Sequence, residues 1–154
     1  MTFIFTSYFE RFPHFDHQPR QSIRIEFTRL AKTHKWDSEE TKRERVNCYN
    51  EELEGHFHRL SITDQLGSLK HLCSELDVKP RNTVDGCRKI LRYTHVNLVD
   101  LMDARRDENT KVKKFKTYKE LRDYSHKTKK FYPLDETKGE TIEVPLRKLK
   151  TPKI

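Results

Sequence analysis

The chain has 154 residues, 33% hydrophobic and 36% charged, with a formal net charge of +8. That length suits one domain with a real core, and no apolar run approaches the roughly 20 residues that span a bilayer, so no membrane partner is expected. Four glycines are too few for a turn-rich β-fold or a glycine-rich phosphate loop, and no cofactor is called for.

The charge is unevenly placed. Residues 36–62 carry four Lys/Arg against seven Asp/Glu, and residues 63–110 carry eight of each. Residues 111–154 carry fourteen against six, so this end alone matches the whole excess. A basic excess at one end points to an acidic partner: nucleic acid, an acidic protein surface or an anionic membrane, of which the first two are expected here. Cys48, Cys73 and Cys87 are odd in number and sit in apolar helical patterns, so they read as reduced core residues. The N-terminal run MTFIFTSYFERF has no basic start and no small-residue cleavage site, so no signal peptide is expected.

Residues 3–15, FIFTSYFERFPHF, hold six aromatics; Phe5, Tyr8, Phe9 and Phe12 have helical spacing and Pro13 stops the run. Such a segment either packs on the body as an arm or offers a docking surface to another chain. Ser22 caps the next helix, whose stripe is Ile23, Phe27, Leu30, Ala31 and His34, with Trp36 closing it. Asp37-Ser38-Glu39-Glu40 starts an amphipathic helix with Val46, Tyr49, Leu53, Phe57 and Leu60 on one face. Thr63-Asp64 begins a third, with Leu66, Leu69, Leu72, Cys73 and Leu76 inward.

Thr83 opens the most apolar segment. Val84, Cys87, Leu91, Thr94, Leu98 and Leu101 step by three or four and lie on one helical face. The stripe favours one helix to Arg106; a break at Thr94, with a new helix from His95, stays open. Residues 107–114 are a polar linker. Thr117-Tyr118-Lys119-Glu120 is a capping box opening a helix with Leu121 and Tyr124 inward, ended by Lys127-Thr128-Lys129-Lys130. The fold expected is an all-α bundle of five or six helices over residues 1–133, with residues 1–19 as an aromatic arm. Residues 134–154 form a basic, partly irregular extension on which Ile142, Val144, Leu146 and Leu149 are candidate docking residues.

EFTRLAKTHKW at 26–36, THVNLVDLMDARR at 94–106 and FKTYKELRDYSHKTKKFYP at 115–133 resemble, in that order, a family of small helical proteins of filamentous fungi. The resemblance implies a compact, mostly helical, intracellular domain, in keeping with the reduced cysteines; the location expected is the nucleus or cytoplasm. The family has no established activity, so no catalytic residue is carried over. The chain departs from the family near its end, where GETIEVPLRKLKTPKI stands in place of a helical pattern.

The binding candidates are Lys111, Lys113, Lys114, Lys116, Lys119, Arg122, Lys127, Lys129 and Lys130, interleaved with Phe115, Tyr118 and Tyr124. Lysine and arginine neutralise phosphates, and exposed rings stack on bases; the competing reading is a solvated face of snorkelling lysines. Asn97, Asp100 and Asp103 lie three apart on the polar side of the spine and are expected to pair with Lys113, Lys114 or Arg122 or to hold a cation. A helix-turn-helix across Leu66–Leu76 and Thr83–Tyr93 has Arg81, Asn82, Arg88, Lys89 and Arg92 available, but Asp85 opposes them and the core stripe leaves one side for a groove.

His56-Phe57-His58 and His71-Leu72-Cys73 contain four candidate ligands. Helix positions i and i+2 point about 200° apart, so neither pair alone converges on an ion, and no metal site is expected. Asp64, Asp77 and Lys79 loosely match a nuclease triad, and His14, Asp16 and His17 share a loop. The function expected is a non-enzymatic module binding nucleic acid or another acidic partner through 111–130. The alternative is an assembly module using Phe5, Tyr8, Phe9 and Phe12, and the third reading is an enzyme without a recognisable motif.

Overall fold

The computed structural model of the chain describes residues 7–133, the side chains of Glu54 and His58 excepted. Phe5 and the 134–154 extension, with Ile142, Val144, Leu146 and Leu149, lie outside the described residues. The described residues are mostly helical: a 3-10 turn (Tyr8–Arg11), α1 (Ile23–His34), α2 (Ser38–Arg59), α3 (Gln65–Glu75), α4 (Val84–Arg92), α5 (Leu98–Arg106) and α6 (Tyr118–Thr128). One antiparallel ribbon joins β1 (His95–Val96) to β2 (Lys114–Phe115).

Each of the six α-helices among the described residues begins where a short polar side chain accepts from the amide three residues on, Asp37 from Glu40 at α2 and Asn97 from Asp100 at α5 among them. Ser22 accepts from Ile25, Asp64 from Gly67, Thr83 from Gly86 and Thr117 from Glu120. The box at α6 closes one residue early, because Glu120 accepts from the Lys116 amide rather than from that of Thr117. At α4 the chain doubles back so closely that a Cβ on Gly86 would stand 2.7 Å from Cβ of Arg81. The end of α1 turns on Lys35, which takes a left-handed φ of 53°, and Trp36 then folds back against Phe27 and Phe12.

The spine is not one helix. It ends at Arg92, passes through Tyr93 and Thr94, forms β1, and restarts as α5. Thr94 does not cap the restart: its hydroxyl donates to the Ile90 carbonyl, and Asn97 does the capping, its Oδ1 accepting from the Asp100 amide at 3.1 Å. The apolar stripe survives the break, since Cys87, Leu91, Leu98 and Leu101 are all buried. Two helices that bury the same side of the chain leave the same periodicity as one.

The core gathers Phe27 and Leu30 from α1, Leu69 and Leu72 from α3, Leu91 from α4, Leu98 and Leu101 from α5, and Leu121 from α6. Two residues of the expected stripes are exposed. The exposed His34 ring stacks on Trp36, and Leu60, one residue past α2, is 47% exposed. The cysteines are free and buried, as their apolar settings require. Burial, then the neighbouring Cys87, pushes the Cys73 thiol up to about 11.

The described part of the aromatic arm, from Ser7 on, packs into the core. Tyr8 and Phe9 are 2% and 1% exposed, and Phe12 is half-buried against His34 and Trp36. Three glutamates of α2 hold the arm down. Tyr8 Oη donates to Glu44 at 2.6 Å, the Tyr8 amide and the Ser7 hydroxyl donate to Glu52, and Arg11 pairs with Glu51. Tyr8 and Phe9 are therefore not available as the docking surface that their exposure would have created.

Candidate functional site

The nine basic candidates divide into two groups. Lys111, Lys113, Lys114, Lys116, Lys119, Arg122, Lys127 and Lys129 are exposed. β2 turns Phe115 inward and its neighbours Lys114 and Lys116 outward, as a two-residue period demands. On α6, Leu121 and Ser125 are buried, which leaves Lys119, Arg122 and Lys127 on the solvent side. Two of the exposed lysines also touch the body: Lys113 lies over the Phe115 ring, and Lys114 Nζ donates to the Asp77 carbonyl.

Lys130 is different in kind. Its Nζ donates to Asp100 Oδ1 at 2.7 Å, and the other Asp100 oxygen accepts from Tyr124 Oη at 2.6 Å. Asp100 is 4% exposed. Burial by itself would lower the Lys130 pKa, but the Asp100 carboxylate outweighs it and holds the ammonium up. Asn97 completes the clamp, donating to Ser125 Oγ and to the Lys130 carbonyl. Asp103 accepts from the Ile23 amide at 2.8 Å and so pins the start of α1; burial raises its pKa. The three polar residues of the spine thus act as internal fasteners. The partner of Asp100 is Lys130, not Lys113, Lys114 or Arg122.

The aromatic side of the basic run also departs from the sequence reading. Phe115 and Tyr124 pack on one another with centroids 4.9 Å apart, and Tyr124 is tied to Asp100, so neither ring is a free platform. Tyr93, 69% exposed, replaces them. In the antiparallel register His95 faces Phe115 and Val96 faces Lys114. The pairing stops at these two residues: before His95 the chain turns out of α4 through Tyr93 and Thr94, whose amides donate to the Ile90 and Leu91 carbonyls, and it leaves Arg92 and Tyr93 exposed at the end of that helix.

The remaining candidates do not assemble. Asp64 and Asp77 sit at opposite ends of α3, about 16 Å of helix apart. His17 bonds the buried Glu26 at 2.7 Å and stacks on Phe9, and Arg29 pairs with the same carboxylate; this network fastens the loop after the arm to α1. Arg88 pairs with Asp85, leaving Lys89 and Arg92 as the exposed cations of α4.

A second cluster lies where the end of α2 meets α3. His56 Nε2 and His71 Nε2 are 2.9 Å apart, and Glu75 lies 3.6 Å from the first and 3.5 Å from the second. Arg105 of α5 grips both Glu75 oxygens at 2.7 Å and donates to the Leu53 carbonyl. Burial, then the nearby Arg105 guanidinium, lowers the His56 pKa to about 4, against the opposing pull of Glu75. The His71–Cys73 pair does diverge, as the helix geometry requires, with Cys73 buried in the core. Pairing one histidine from each helix is what the spacing argument did not consider; the i, i+4 placement of His71 and Glu75 was its one visible sign.

No protein-family model, curated protein or solved structure matches the chain. No helix among the described residues is long and apolar enough to cross a membrane.

Proposed function

We propose that the chain is a nucleic-acid-binding module whose contact face is the β1–β2 ribbon and the outer side of α6. The observation that carries this reading is the solvent exposure of Lys111, Lys116, Lys119 and Arg122 from the approach to β2 into α6, with exposed Arg92 and Tyr93 at the end of α4 that leads into β1. The cations supply phosphate neutralisation, and the ring supplies a stacking surface for an unpaired base. Among the described residues no salt bridge occupies the side chains of Lys111, Lys116, Lys119 or Arg122, so their charge is free for a partner. Lys130 stands outside the face, because its charge is already used by Asp100.

The test is fluorescence anisotropy with labelled single-stranded and duplex oligonucleotides over a salt series. Binding is expected to weaken linearly in log–log form, and the fourfold change Lys111, Lys116, Lys119 and Arg122→Glu is expected to abolish it while leaving the helical circular dichroism unchanged. Tyr93→Ala should weaken single-strand binding more than duplex binding. Absence of binding at low salt, or binding indifferent to salt, overturns the reading; an acidic protein partner is then the class to pursue.

A further inference from the structure

We infer that His56, His71 and Glu75 form a binding site for one divalent transition-metal ion of the zinc class. Four positions apart on α3, His71 and Glu75 share a face, and α2 brings His56 over the same point. Among the described residues this is the group of His, Cys, Asp and Glu whose ligand atoms come together, all within 4.8 Å of one another.

The dimensions fit the ion. Zinc bonds to histidine nitrogen and carboxylate oxygen are about 2.0–2.2 Å, so ligand atoms around a tetrahedral ion stand roughly 3.3–3.5 Å apart. The two Nε2 atoms are 2.9 Å apart and need separate by only a few tenths of an ångström; Glu75 reaches His56 with Oε2 at 3.6 Å and His71 with Oε1 at 3.5 Å, and with a single oxygen as ligand all three atoms stay within 4.8 Å of one another. Both rings present Nε2. A neutral imidazole nitrogen is the ligating form.

Arg105 shapes the site in two opposing ways. Its double hydrogen bond fixes the carboxylate plane of Glu75 as an outer-shell partner does. Its charge also repels a cation, which sets affinity below that of a closed structural zinc site. The side chains of His56 and His71 are 19% and 29% exposed, so the site has a way in and room for solvent at the remaining positions. Two imidazoles and a single carboxylate favour zinc, cobalt, nickel or copper over magnesium and calcium, which take all-oxygen ligand sets. This inference does not depend on the nucleic-acid reading, since the cluster lies on α2 and α3.

The experiment is a titration of the full chain, freed of metal by chelation, with Zn(II) by calorimetry and with Co(II) by visible absorption. One equivalent of Zn(II) is expected to bind, Co(II) to give the bands of a low-coordinate nitrogen–oxygen site, and Mg(II) and Ca(II) to give no saturable heat. His71→Gln and His56→Gln should each weaken Zn(II) binding by more than the roughly 10–100-fold that an outer-shell residue costs. His14→Gln together with His17→Gln should leave it unchanged. His71 is the more exposed ring, so its variant keeps the test decisive if the His56 variant misfolds. No saturable Zn(II) binding, or equal binding by wild type and His71→Gln, overturns the assignment and leaves a plain histidine–histidine hydrogen bond beside an ion pair.

Discussion

Lys130 Nζ lies 2.7 Å from Oδ1 of the buried Asp100, thirty residues back along the chain. Through this contact the basic segment is joined to the core at its far end, while the cations from Lys111 to Lys129 remain in solvent. A charged run that looks uniform along the chain therefore contains one structural lysine and eight surface cations, seven lysines and Arg122. Lys130→Met would leave the Asp100 carboxylate with Tyr124 and its own helix only, and is expected to lower stability by about 1–3 kcal/mol, a range discounted for the partial exposure of the lysine. Tyr124→Phe should cost roughly 1 kcal/mol. Urea denaturation of both variants measures the difference, and a neutral Lys130→Met would remove the clamp from the account.

Phe9 is 1% exposed and stacks on His17 at 4.4 Å, with Arg106 over its ring. Truncation to alanine is expected to cost about 3–5 kcal/mol, as for a buried aromatic. Deleting residues 1–15 should yield a chain without a cooperative thermal transition. A folded, soluble deletion product would return the arm to the role of a docking surface.

Arg105 and Glu75 are 8% and 14% exposed at their side chains and meet through two bonds of 2.7 Å. Arg105→Met leaves a buried carboxylate beside two imidazoles and is expected to destabilise by about 3–5 kcal/mol. Adding Glu75→Leu should recover much of that loss, since an apolar pair of similar volume needs no desolvation. Chemical denaturation of the two singles and the double reads the coupling directly.

His56 gives the chain a pH dependence with a definite sign. Its pKa falls from 6.5 to about 4 on folding, through burial first and Arg105 second. Between those values the unfolded chain binds the proton and the folded chain does not, so stability falls as pH drops from about 6.5 toward 4. The loss is on the order of 1–3 kcal/mol for this group. Melts in chelator-containing buffer should show the slope in wild type and a flatter one in His56→Gln. Equal slopes would mean that His56 titrates normally in the folded state.

Nucleic-acid affinity, if it follows the ribbon face, should lose roughly 0.7–0.9 in the magnitude of its salt slope for each phosphate contact removed. Lys119→Glu alone is therefore expected to weaken binding and flatten the slope by about one contact. Lys130→Met, with its charge already paired to Asp100, should leave the slope of the folded fraction unchanged. A slope that responds to Lys130 and not to Lys119 would place the contact elsewhere.

Helix starts at Ser22, Asp64, Thr83 and Thr117 were legible because a cap is chemistry within three residues of itself. So was the inward side of each helix, since burial follows a 3.6-residue period whatever the partner. The same property concealed the break after Arg92. What separates α4 from α5 is the Asn97 cap together with a ribbon that reaches forward to Phe115, and periodicity registers neither. The arm posed a similar problem. Six aromatics announce that they will be covered, but not whether by their own chain.

Composition and local spacing are enough to settle a mostly helical chain with its positive charge gathered toward one end, because those features depend on residues a turn or two apart. Which charges stay free is settled only when the helices pack. Lys130 finds Asp100 thirty residues away, Tyr124 reaches the same carboxylate from α6, and His56 meets His71 across fifteen residues and two helices. Each of these is a long-range meeting of polar groups, and the position of such groups is dictated by where the apolar faces come to rest.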